Sequence, residues 1–284
     1  MASSRFPGDV AMTATQKDKA VTFRALHEQP RAFVIANAWD AGSAQLLAGL
    51  GFPAIATSSA ASAGTLGRPD GRITREEAIA HAKALSDAVD VPVSADLENG
   101  FGHSPRDVAE TIRLAAQAGV AGGSIEDHTG DASRPIYDFE QAVERVAAAV
   151  EAARALSFPF TLTARCENFL HGHPDLDDTI KRLQAFEKAG ADVLFAPGLP
   201  DLKAVRAVCS SLTKPVNFMV GIPGRSFSVA ELQDAGVRRI SLATSLHRAA
   251  MSGLYRAALE IKDQGTFDFL DTLVSSKELG RFLR

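Results

Sequence analysis

Eight short runs rich in Val, Ile, Ala and Phe recur along the chain, and longer stretches of helical periodicity separate them. Runs of this length bounded by turn residues read as buried strands, and stretches with a 3.6-residue apolar period read as helices. The pattern predicts strands at 31–36, 53–59, 92–98, 121–127, 160–167, 192–198, 215–220 and 238–244. The clearest helices fall at 74–89, 105–119, 139–156 and 175–190. Ser104 before Pro105 has the form of an N-cap followed by proline at the first helical position. Gly119 and Gly190 stand where a helix C-cap needs a free φ.

Strict alternation of eight strands with helices is the pattern of a parallel (β/α)₈ TIM barrel. The doubly wound open sheet is the competing layout. Its glycine fingerprint should follow the first strand, but that strand runs into "NAWDAGSA" instead. Polar residues also end many different strands, as at the C-terminal mouth of a barrel. Residues 15–284 therefore read as one barrel domain, preceded by a flexible N-terminus at 1–14. The segment at about 246–284 reads as extra C-terminal helix. Its stripe of Leu254, Tyr255, Ala258, Leu259 and Ile261 packs either on its own barrel or on a second subunit.

Composition narrows the function classes. Hydrophobic residues make up 46% of the 284 and charged residues 23%, with a net charge of -4. With no basic stripe and no long apolar run, neither nucleic acid nor membrane is an expected partner. The first residues lack an apolar signal core, and the two cysteines lack metal-site spacing, so a cytoplasmic location is the default.

The chemistry concentrates at strand ends. In "PVSADLENGFG", Asp96 and Glu98 stand at i and i+2, so strand alternation should aim both the same way. Like charges side by side raise each other's pKa. Asp70 lies in the loop after the second strand, Glu126 and Asp127 end the fourth, and Thr163, Arg165 and Glu167 share a face at the end of the fifth. Four carboxylates, Asp70, Asp96, Glu98 and Glu126, converging on one mouth would repel unless a cation sat among them. All-oxygen ligands favour Mg²⁺ or Mn²⁺, and Mg²⁺ keeps several waters. Asp96 is thus expected to touch the metal and the other acids to hold its waters. Arg165 is the expected clamp for an anionic substrate group. A lone strand-end carboxylate such as Asp70 or Asp127 is also commonly a helix cap or ion-pair partner.

His103 and His128 lie nearest the proposed mouth as candidate proton carriers. His171 and His173 read as a solvated loop. Cys166 and Cys209 read as packing residues. No predicted strand contains a lysine, which argues against a Schiff-base aldolase.

The chain resembles the isocitrate lyase / phosphoenolpyruvate mutase superfamily over roughly 20–260. The resemblance rests on "NAWDAGSAQLLAGLGFPAIATSSAASAGTLGRPD", "ADLENGFG", "GGSIED", "TARCEN", "ADVLFAPG" and "KPVNFM". It implies a (β/α)₈ barrel whose last helix is exchanged between subunits of a homodimer or homotetramer. It also implies Mg²⁺ and a small anionic 2-oxo or 2-hydroxy acid handled through a pyruvate-like enolate. By position, Asp96 matches the metal-binding aspartate, and Asp70, Glu98 and Glu126 match the acids around the metal's waters. Arg165 matches the substrate-binding arginine. Trp39, Ser58, Ser59 and Asn217 match substrate-binding positions. Two departures stand out. Glu98 replaces the second aspartate of D-x-D. The loop "DHTGDASRPIYD" lacks the lyase K-K-C-G-H sequence and the longer mutase loop, which argues against isocitrate cleavage and the phosphonate mutase reaction. What remains is a Mg²⁺-dependent carbon–carbon or carbon–phosphorus lyase with Arg165, Glu126 and His128 as catalytic groups. The alternatives are an oxaloacetate-type decarboxylase or hydrolase, and a non-catalytic 2-oxo acid binder.

Overall fold

A computed structural model describes residues 14–283, so the N-terminal segment expected to be flexible lies, up to residue 13, outside the described residues. Eight parallel strands close into a barrel in sequential order. They are β1 (Phe33–Asn37), β2 (Ile55–Ala56), β3 (Val93–Asp96), β4 (Gly122–Glu126), β5 (Thr161–Arg165), β6 (Val193–Phe195), β7 (Val216–Met219) and β8 (Arg239–Ser241). Seven fall inside their expected runs, and β1 overlaps its run but extends one residue past it, to Asn37. The barrel closes between β1 and β8, with Phe33 opposite Arg239 and Ile35 opposite Ser241.

The helices are α1 (Gln16–Glu28), α2 (Ala41–Gly49), α3 (Ser59–Thr65), α4 (Arg75–Ala88), α5 (Pro105–Gln117), α6 (Phe139–Arg154), α7 (Leu176–Ala189), α8 (Leu202–Ser210), α9 (Val229–Asp234), α10 (Ser245–Gln264) and α11 (Ser276–Gly280). Local chemistry fixes their ends. Ser104 caps α5 in a reciprocal bond with Asp107, and Pro105 opens the helix. Gly190 ends α7 at φ 108°, a left-handed conformation that costs glycine little.

Two glycines of β4 let the wall close. A Cβ at Gly122 would sit 2.5 Å from the carbonyl oxygen of Thr161, and one at Gly123 would sit 2.8 Å from Leu97 Cδ1. Helix α1 stoppers the N-terminal end, where Phe23 and His27 meet Phe33 edge to face.

Two expectations need correction. Strand β3 stops at Asp96, and Glu98 adopts φ +48° in the turn beyond it. Asp96 and Glu98 therefore meet through a strained turn, not through strand alternation. The stripe on α10 is not packed on its own barrel: α10 has no buried residue, and Leu254 and Tyr255 are 60% and 66% exposed.

Candidate active site

The mouth of the barrel holds a charged lattice centred on Arg165. Its Nη1 lies 3.6 Å from Asp96 Oδ1 and 3.1 Å from Glu126 Oε2, while Nε donates to Glu167 Oε1. Burial alone would weaken this cation. The charges of Glu126, Glu167 and Asp96 overcome that and hold its pKa well above the ordinary value. Glu126 is pushed up by burial, an effect that Arg165 only partly offsets. Asp96 and Glu126 do not sit opposite one another on the neighbouring strands β3 and β4. Asp96 pairs with Ser124, the Glu126 N–H donates to the Glu98 carbonyl, and Arg165 bridges the two carboxylates.

The remaining acids face the same point. Burial, then the charges of Asp96, Glu126 and Asp70, raise Glu98 to about 8. Asp70 is raised by burial and by Asp96. Glu98 Oε1 is buried without a hydrogen-bond partner. An orphaned carboxylate oxygen among repelling acids is the environment a divalent cation relieves. Among the described residues, no group of three or more Asp, Glu, His or Cys side chains is arranged to ligate an ion directly. A hydrated Mg²⁺, touching one carboxylate and reaching the others through water, does not require such a group. Asp96, Asp70 and Glu98 fit that role. Glu126, also expected there, is engaged by Arg165.

Ser58 and Ser59 open α3 beside the acids. Ser58 Oγ caps the helix by accepting from Ala61 N. Ser59 donates its backbone N–H (3.0 Å) and hydroxyl (2.9 Å) to Asp96 Oδ2, so both donors are spent on the aspartate. Asn217 is 1% exposed, accepts from Arg239 Nε and donates to Ser241 Oγ. Trp39 does not line the cavity at the mouth; it touches His247 at 5.4 Å, and its carbonyl bonds His81.

His128 lies 3.6 Å from Glu126, whose hydrogen bond raises its pKa. It stacks on His171 at 3.9 Å, and His171 reaches Glu167 at 3.3 Å. The Glu167–His171 pair was missed because "FLHGH" reads as open loop. The i, i+4 spacing of Glu167 and His171 was the available signal. His103 turns to the Tyr137 hydroxyl at 2.7 Å. The loop after β4 folds on itself through a His128–Ile136 bridge and a Thr129 N–H to Pro135 carbonyl bond of 2.8 Å.

Asp127 joins a buried structural network, accepting from Glu167 N at 2.7 Å and pairing with Arg182 at 3.2 Å. Both cysteines are free; burial raises Cys166 well above its ordinary pKa and Cys209 to about 11. Neither supplies an acid to the mouth.

Arg165, Asp96 and Asp70 line a cavity of about 220 Å³ that runs down into the barrel to Asn217, Ser241 and Arg239. No lysine lines it. The family model for Phosphoenolpyruvate phosphomutase matches residues 23–262.

The chain belongs to the phosphoenolpyruvate phosphomutase family.

Other proteins of this family set its range. A crystal structure from Burkholderia cenocepacia J2315, described as a lyase/mutase, superposes with a TM-score of 0.92 at 54% identity, over 94% of this chain and 96% of that one. The 2-methylisocitrate lyase of Escherichia coli (strain K12) is 29% identical over 268 residues, covering 90% of this chain and 89% of its own. The oxaloacetate decarboxylase of Rhodopseudomonas palustris (strain TIE-1) is 28% identical over 260 residues, covering 88% and 87%. No described helix is long and apolar enough to cross a membrane.

Proposed function

We propose that this protein is a Mg²⁺-dependent lyase that breaks a carbon–carbon or carbon–phosphorus bond at C3 of a small anionic 2-oxo acid, or the equivalent bond of a 2-hydroxy acid, so that the bonding electrons pass into a pyruvate-like enolate. The observation that carries the reading is the convergence of Asp70, Asp96 and Glu98, with an orphaned Glu98 oxygen, beside Arg165 at the mouth of the barrel cavity. Asp96 would hold a divalent ion, with Asp70 and Glu98 reaching it through water, and the bound ion would supply Lewis acidity toward the 2-oxo group. Mn²⁺ satisfies the same oxygen donors. Arg165, held in one orientation by Asp96, Glu126 and Glu167, lines the cavity as a fixed hydrogen-bond donor for a substrate oxygen. A group already in place costs no reorganisation when the substrate reacts. Glu126 lies 3.6 Å from His128 and raises its pKa, which makes this imidazole the candidate proton carrier at the rim.

Decarboxylation of an oxaloacetate-like acid is the second reading, and one observation favours it. Neither cysteine reaches the mouth, so the site lacks a thiol acid to protonate a leaving enolate. Loss of CO₂ leaves an enolate that water can protonate.

The test is proton exchange. With Mg²⁺ and pyruvate in D₂O, the methyl signal should disappear from the NMR spectrum, and chelator should stop the loss. Asp96→Asn should slow exchange by about 100-fold or more. Binding of pyruvate without exchange identifies a non-catalytic binder and ends the lyase reading. Assaying 2-oxo and 2-hydroxy acids for pyruvate, glyoxylate, oxalate and CO₂ then separates lyase from decarboxylase.

A further inference from the structure

Arg165 is not the free cation of this cavity. Three carboxylates surround it, so its charge is already more than matched. The floor holds a second arginine of the opposite kind. Arg239, 5% exposed, rises from β8 into the same cavity. Its Nε donates to Asn217 Oδ1 (2.9 Å) and one Nη to Thr163 Oγ1 (3.0 Å), while the other Nη lies 3.5 Å from His27 Nε2. All three partners are neutral: His27 is held unprotonated by burial, its pKa lowered to about 3, and its Nδ1–H faces the Phe23 carbonyl at 2.8 Å. No carboxylate pairs with Arg239 among the described residues.

A buried cation without a counterion is costly, and a protein keeps one cheaply only when something else neutralises it. The desolvation is large enough to lower even this guanidinium to about 9. Ser94, Ser124, Asn217 and Ser241 line the same cavity and offer polar groups to a bound anion, beside the apolar Ile35, Phe195 and Met219. Asn217, tied at once to Arg239 and Ser241, holds the arginine toward that space.

We propose that the cavity floor is an anion subsite charged by Arg239, which selects substrates bearing a second carboxylate remote from the 2-oxo acid end. The substrate class becomes a short 2-oxo or 2-hydroxy dicarboxylate, with its 2-oxo or 2-hydroxy acid end at the rim beside Asp96 and Arg165 and its second carboxylate toward Arg239. The cavity is smaller than the roughly 300–1,000 Å³ of typical drug-sized sites, which suits an acid of this size. The inference rests on the reading of the rim as a 2-oxo acid site.

Oxaloacetate and 2-oxobutanoate differ only in a terminal carboxylate against a methyl group. Calorimetry of the full-length protein with Mg²⁺ and each compound, freshly dissolved, reads the subsite. The wild type should bind oxaloacetate about tenfold or more tightly than 2-oxobutanoate, the worth of one charged hydrogen bond. Arg239→Met should erase that preference and leave the affinity for 2-oxobutanoate unchanged, whereas a merely structural arginine would weaken both. Arg239→Lys, which keeps the charge, should restore part of the preference and serves if the Met variant does not fold. A wild type without preference, or a Met variant that keeps it, overturns the subsite and leaves the 2-oxo acid reading standing. A wild type that binds neither compound removes that reading, and the subsite with it.

Discussion

His27 shows how one residue couples the barrel's base to pH. Burial, reinforced by the Arg239 charge, lowers its pKa from 6.5 to about 3. The folded state therefore refuses a proton that the unfolded chain accepts. The sign follows: the contribution is whole above pH 6.5 and is lost as pH falls from 6.5 toward 3, with a slope of up to about 1.4 kcal/mol per pH unit. Denaturant melts across that range should show a shallower loss for His27→Gln than for the wild type; equal slopes would mean His27 is protonated in the fold. At this scale the legible residues were those closing an apolar run. Asp96, Glu126 and Arg165 each end a strand, and charge after a buried run is conspicuous. Arg239 was not legible as a site residue because "RRISL" reads as one strand. Its alternation with Ser241 places it inside a barrel, yet sequence alone could not show that its neighbours are neutral. The commitment of Ser59 to Asp96 was equally hidden, since it depends on where α3 begins.

Strands and long helices were legible because their periods differ and their ends carry caps. The Thr74, Ser104 and Asp175 side chains each accept from the backbone N–H three residues on, and of these Ser104 before Pro105 was the cap the sequence marked. Short elements were less so: α3 and α9 span 7 and 6 residues, too few for a period to register. The end of β3 was misjudged because "ADLE" continues the alternation in sequence, while the turn that seats Glu98 at positive φ depends on the barrel rim. The clearest test of an element is β4. Its tandem glycines give no hydrophobic signal, yet Gly122 passes within van der Waals reach of the Thr161 backbone. Gly122→Ala places a methyl carbon against a carbonyl that cannot rotate away, so β4 and β5 must part. The cost should be about 1–3 kcal/mol in equilibrium unfolding. An unchanged midpoint would show the strand pair to be looser than drawn.

Over the whole molecule the imbalance lies in the C-terminal arm. Helix α10 and the segment after it expose Met251, Leu254, Tyr255, Phe267, Leu270 and Leu273, each at 48% or more. Isolated apolar residues on a surface are ordinary, but a run of large ones along one arm marks a surface that something covers. The arm starts beside the site, where His247 touches Trp39, and its far end returns to pack Phe282 against Gly49 of α2. We propose that a second copy of the chain covers the exposed face, giving a homodimer or a larger even assembly. A closed two-fold pairing lets each arm cover the other with the same residues. Light scattering on the eluting protein should then give at least twice the 30.0 kDa chain mass at micromolar concentration. Replacing Leu254 and Tyr255 together by Glu should shift the mass to that of one chain. Because Leu254 and Tyr255 lie well along α10 from Thr244, where the arm lines the cavity, the separated chain should keep its affinity for a 2-oxo acid within a few-fold. A wild type that elutes as a single chain would leave the arm's apolar face without its proposed cover.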